Sequence, residues 1–175
     1  GAARCDPNLT PKAAVGGLRA ALSAIPEWGR ERAATMAERV RTALAEGDVV
    51  GAAGMLGRPH ELDGLVVAGD QRGGTLGYPT ANLLLEPELA VPRYGIYAGE
   101  ALDHRAAVSI GTNPHYGGTE RRIEPYLLDF EGDLYGKRLV VEVWERLRDE
   151  AAFESEEALV EQIARDVEAT RRARS

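Results

Sequence analysis

Five short runs between residues 61 and 147 limit what this chain can become. They are ELDGLVVAG (61–69), YGIYAGEAL (94–102), RAAVSIG (105–111), IEPYLLDF (123–130) and KRLVVEVWERL (137–147). Each is rich in Val, Ile, Leu or Tyr and is set off by Gly, Asp, Asn or Pro, as β-strands between turns are. EGDLYGK (131–137) reads as a hairpin connection between the last two. This spacing favours an antiparallel barrel or sandwich over a parallel sheet joined by crossover helices.

Helical patterns flank the strand region. LTPKAAVGGLRAALSAI (9–25) opens on a Thr10 cap and Pro11, and Gly16 and Gly17 weaken it. EWGRERAATMAERVRTALAEGD (27–48) places Met36, Val40 and Leu44 along one face and stops at Gly47. Asp48 can cap the short helix VVGAAGML, which Gly57 and Pro59 end. After the strands, Ser155 caps a helix with Glu156 and Glu157 at its positive end and a Leu159, Ile163, Val167 stripe. The tail RRARS is expected to fray. The division that follows is a helical extension and linker over 1–58 and a barrel domain with its C-terminal helix over 59–175.

A chain of 175 residues, 44% hydrophobic and 28% charged, can bury one sizeable core. Its net charge of -7 argues against a sequence-independent nucleic-acid binder, which needs a basic face. Cys5 is the single cysteine, so no internal disulfide can form and a reducing, cytoplasmic setting is expected. No apolar run nears the roughly 20 residues that cross a bilayer, and GAARCDPNLTP lacks the blocks of a signal peptide.

The segment GDQRGGTLGYPTAN (69–82) holds four glycines before a stiff Pro-Thr step. It is either a glycine-rich turn or a phosphate cradle. A P-loop is excluded, because no G-x-x-x-x-G-K-[ST] occurs, and so is the G-x-G-x-x-G dinucleotide fingerprint. Glycines let backbone N–H groups approach a polyphosphate. Pro79 keeps Tyr78 extended, so Thr80 and Asn82 point to the same side, as a hydroxyl and an amide oxygen suited to Mg²⁺. Phosphoryl transfer also needs a proton acceptor. Glu124, Asp129, Asp133 and Glu142 are candidates, each readable as a solvated or turn carboxylate; Glu124 is flanked by Ile123 and Pro125 in an apolar strand.

Together, GLVVAGDQRGGTLGYPTANL, AAVSIGTNP, IEPYLLDFEGDLYGKRLVVEVWERLR and DEAAFESEEALVEQIARDVEATR resemble the riboflavin kinases. More narrowly, they resemble the C-terminal kinase module of bacterial bifunctional riboflavin kinase/FAD synthetases. The resemblance runs from about Glu61 to Arg172, with G-[YF]-P-T-A-N, an NP loop, a strand glutamate, D-L-Y-G and R-x-E-x-x-F in order. It implies a six-stranded antiparallel Greek-key barrel with a C-terminal helix, ATP and riboflavin as substrates, and FMN and ADP as products. On this resemblance Gly69, Asp70, Arg72, Gly74 and Gly77 would hold nucleotide phosphates, and Asn113 and Pro114 would lie in the nucleotide-side loop. Thr80 and Asn82 would ligate Mg²⁺, Asn82 beside the acceptor hydroxyl. Glu124 would be the general base, and Arg148, Glu150 and Phe153 would form a flap on the flavin side.

The chain departs from the pattern at His115, where the family usually has Thr, and at Pro125 after the expected base. The adenylyltransferase motif H-x-G-H is absent from these 175 residues, whose histidines are His60, His104 and His115. The expected activity is therefore phosphorylation of riboflavin. A flavin- or nucleotide-binding module of altered activity, or a kinase for a flavin analogue, stays open beside it.

Overall fold

The computed structural model describes residues 27–69, 76–112 and 121–174. Expectations placed on residues 9–25, Asp70, Arg72, Gly74, Asn113, Pro114 and His115 lie outside these residues. Two compact units divide at Arg39 and Val40, and the second, Val40–Ser175, holds the barrel.

Helix α1 (Glu27–Glu46) ends where Gly47 adopts a left-handed φ of 86°. Of the expected stripe, Val40 and Leu44 are buried, whereas Met36 is exposed. Asp48 then caps α2 (Val49–Leu56) by accepting the Gly51 N–H at 2.8 Å, and Gly57 ends it in the left-handed region.

Six strands follow: β1 (His60–Val67), β2 (Asn82–Leu85), β3 (Gly95–Ala101), β4 (His104–Thr112), β5 (Arg121–Leu127) and β6 (Arg138–Arg148). Every pairing is antiparallel, in the order β2-β1-β6-β3-β4-β5. The outermost strands meet as well: the Ala81 N–H donates to the Pro125 carbonyl at 2.9 Å, so the sheet closes into a nearly complete barrel. Alternation puts Leu62 and Val66, then Val108 and Ile110, then Ile123 and Leu127, and Leu139, Val141 and Val143 inside. Leu44, Val49 and Ala52 join the same core.

Residues 131–137 do not form a hairpin turn. β5 and β6 are not neighbours, because β6 lies between β1 and β3, so the connection crosses between strands that do not pair. Gly and Asp mark a reversal of the chain equally well in either case. Within it, the Asp133 carboxylate accepts the Tyr135 N–H at 2.8 Å.

Pro125 sits in a terminal strand of the sheet order, where a missing donor is tolerated. In an extended residue N–H and C=O point to the same side, so the absent donor would have faced the seam rather than β4.

Helix α3 (Glu156–Arg172) starts at Ser155, whose hydroxyl accepts the Ala158 N–H at 3.2 Å. The RRARS tail is pinned as far as Ala173, not frayed. Arg171 forks onto Asp129 with donor distances of 2.6 and 2.8 Å, Ala173 is buried, and Arg105 donates to the Thr170 carbonyl. Terminal composition alone conceals these long-range partners.

Candidate active site

The outer face of β3, β4 and β5, covered by α3, forms the main cleft, with a volume of about 290 Å³. Register sets its floor. Ile96, Ser109 and Glu124 stand side by side on one rung, and Ala98, Ala107 and Tyr126 on the next. Because Ile123 and Pro125 point into the barrel, Glu124 between them must point outward, into the cleft. Leu159, Ile163, Asp166 and Val167 of α3 form the opposite wall.

The glycine-rich segment enters at one end. Leu76, Tyr78 and Thr80 line the cleft, and Tyr78 meets Tyr126 edge to face with centroids 5.5 Å apart. Gly77 carries a φ of 84° immediately before this wall, a conformation that a side chain would strain. At the start of the segment, Gly69 faces the Asn82 amide: a Cβ there would fall 2.0 Å from its nitrogen. Asn82 thus packs against the root of the segment and is not among the cleft-lining residues.

Thr80 has a second neighbourhood. It also borders a smaller cleft of about 200 Å³, with Val66, Pro79, Phe130, Asp133, Leu134 and Tyr135 among its walls. Two cavities, one largely apolar, the other beside the 128–137 connection, therefore share one hydroxyl-bearing residue.

The far end of the main cleft is shaped by the residues after β6. Arg148, Glu150 and Phe153 all line it. The Arg148 guanidinium stacks 5.8 Å from the Phe153 ring. Glu150 lays its carboxyl on Gly111, where a Cβ would approach one oxygen to 1.9 Å. Loss of water on that side pushes the Glu150 carboxyl above its ordinary range, with Arg148 pulling the other way.

Of the four carboxylates singled out in the strand region, three have structural work. Asp129 is held below its usual range by the Arg171 fork, Asp133 caps a turn, and Glu142 accepts the Trp144 indole N–H at 2.9 Å. Glu124 lies in the cleft, 3.8 Å from the Arg122 guanidinium. The structure thus brings Thr80, Glu124, Arg148, Glu150 and Phe153 around one cavity.

Sequence reasoning missed the small floor residues Ala107 and Ser109, the second cleft and Asp166. The floor left no signal beyond strand alternation. The DLYG stretch was visible, but its placement beside Thr80 depends on the closed seam.

Among the described residues no group of three or more His, Cys, Asp or Glu side chains is placed to hold a metal ion. The Thr80 hydroxyl is a neutral oxygen of the kind that suits Mg²⁺ when phosphates supply its remaining ligands. No described helix is long and apolar enough to cross a membrane.

Comparison with known proteins agrees with this fold. The family model for riboflavin kinase, flavokinase, matches residues 56–174. The bifunctional riboflavin kinase/FMN adenylyltransferase of Escherichia coli K12 is 40% identical over 132 residues, 73% of this chain and 42% of that protein. Its Bacillus subtilis counterpart is 38% identical over 138 residues, again 73% and 42%. The chain therefore spans less than half the length of these relatives. A solved structure described as a macrolide-efflux protein from Streptococcus pneumoniae matches at TM-score 0.72 and 39% identity, over 77% of this chain and 46% of that one. The riboflavin kinase of Trypanosoma brucei matches at TM-score 0.50 and 28% identity, over 63% and 76%. With its six antiparallel strands, near-closed barrel and C-terminal helix, this chain belongs to the riboflavin kinase family.

Proposed function

We propose that residues 59–175 transfer the terminal phosphoryl group of ATP to the ribityl 5'-hydroxyl of riboflavin, giving FMN and ADP. The observation that carries this reading is Thr80, shared by two clefts, one of which also holds Glu124. A donor in the smaller cleft and an acceptor in the larger one would meet at that residue.

The flavin ring suits the apolar space between Ala107, Ser109 and Ile96 on the sheet and Leu159 and Ile163 on α3. Phe153 and Arg148 close its outer end. The ribityl chain then leads towards Glu124. The nucleotide lies against Phe130, Leu134 and Tyr135, and Gly69, Asp70, Arg72, Gly74, Gly77, Asn113 and Pro114 are the residues assigned to bind it on the family motif. Thr80 and Asn82 are the oxygens this chain offers to Mg²⁺, which neutralises phosphate charge when bound.

Glu124 orients the hydroxyl and accepts its proton as the oxygen–phosphorus bond forms and the bond from the γ-phosphorus to the β-phosphate oxygen breaks. The Arg122 guanidinium lies 3.8 Å from the Glu124 carboxylate. Incubating the chain with ATP, MgCl₂ and riboflavin and separating flavins by chromatography tests the reading. FMN appearing with ADP in equal amounts supports it, and unchanged riboflavin refutes it.

A further inference from the structure

The inner face of α3 carries one residue of the wrong kind. Leu159, Ile163 and Val167 are apolar, yet Asp166 stands among them and is only 7% exposed. A carboxylate in that position must be fully paired to remain ionised. Arg148 supplies the partner across the cleft: its Nε lies 2.9 Å and its Nη2 2.6 Å from the two carboxylate oxygens. Gln162 donates to Asp166 as well, at 2.9 Å.

This fork consumes the guanidinium. The remaining Nη1 donates to the Asp149 carbonyl at 2.9 Å, at the first residue after β6. The group, so held, lies over the Phe153 ring. One buried carboxylate on α3 therefore fixes the arginine that grips both the backbone and the aromatic residue of the segment 149–154. Shielded ion pairs of this kind seldom add stability over an apolar pair of similar volume, but they fix geometry that apolar contacts leave free.

We infer that Asp166 is a positioning residue for acceptor binding, acting through Arg148 to hold segment 149–154 over the main cleft. Arg148 serves as a strut within the protein and does not spend its charge on the ligand. The consequence for kinetics rests on the riboflavin kinase reading above, whereas the ordering of the segment does not.

Two variants test this on the full chain. Asp166→Asn keeps the shape but turns an amide N–H₂ towards the guanidinium. Arg148→Met with Asp166→Leu replaces the pair by apolar volume. In the free chain, Asp166→Asn is expected to speed hydrogen exchange of the 149–154 amides by about tenfold or more, with the β1 and β6 amides little changed. The riboflavin KM should rise by about the same factor, and the Mg·ATP KM should stay within about twofold. The apolar pair should restore the melting temperature to the wild-type value or above. It should leave exchange in 149–154 fast and the riboflavin KM high. Wild-type exchange in 149–154 in both variants overturns the proposal. So does an apolar pair that restores the riboflavin KM together with stability, since packing would then suffice. Should Asp166→Asn not fold, the apolar pair decides alone. A wild-type chain that forms no FMN refutes the substrate reading and leaves the exchange comparison to decide the role of Asp166.

Discussion

Thr80 and Glu124 sit about the closing seam of the barrel, and their proposed roles can be tested apart from stability. Thr80→Val removes one hydroxyl and keeps the branched shape. It is expected to raise the Mg·ATP KM by at least about tenfold, as losing a charge-assisted oxygen contact does, with the melting temperature nearly unchanged. Activity assays across Mg·ATP concentration, beside thermal melts, read both. Glu124→Gln keeps the volume and can still hydrogen-bond, but cannot take the proton. Single-turnover FMN formation should fall about a hundred- to ten-thousand-fold, while riboflavin titration shows binding close to wild type. Full turnover in the Gln variant would remove Glu124 from the chemistry, and loss of binding as well would reduce it to a wall residue.

At the scale of elements, β3 and β6 approach so closely that Gly99 has no room for a side chain. A Cβ there would lie 1.9 Å from the Glu142 carbonyl oxygen, where the β3–β6 register shifts. Gly99→Ala must push β6 away and should destabilise by about 1–3 kcal/mol or more in urea denaturation. Gly54, in α2 with nothing within 4 Å of its would-be Cβ, supplies the contrast. Gly54→Ala should stabilise by about 0.5–1 kcal/mol, since alanine loses less backbone freedom in a helix. These contacts explain what was legible in the sequence. Five strands, both caps at Asp48 and Ser155, and an antiparallel barrel or sandwich follow from local periodicity and turn chemistry, whereas the six-stranded barrel is what the family resemblance implies. The strand β2 was not, because NLLL is too short to alternate and runs on from an extended PTAN step. The crossing at 131–137 was not, because a turn does not reveal which strand pairs next. Glu124 could be singled out from its apolar flanks and the family motif. Asp166 could not, because its partner Arg148 is 18 residues away on another element.

For the molecule as a whole, pH reaches the core through His60. Its ring is buried at the start of β1, with Nε2 2.8 Å from the Ala90 carbonyl oxygen, so the neutral ring donates there. Burial lowers its pKa below 6.5, the Ala90 bond opposing this in part. The unfolded chain thus binds a proton first as pH falls. Stability from this group is complete above pH 6.5 and declines below it until the folded-state pKa is passed. Melting temperature should fall as pH drops through that window, and His60→Gln should flatten that part of the curve. An equally steep curve in the variant would assign the dependence elsewhere. The order of the strands carries a different consequence. Thr80 lies two residues before the first strand of the sheet order and Glu124 lies on the last, and the two come together where the Ala81 N–H reaches Pro125. Five strand pairings can form without bringing these residues within reach of each other. The proposed site depends on that join: a chain that lacked it would keep its other pairings and hold the hydroxyl and the proposed proton acceptor apart.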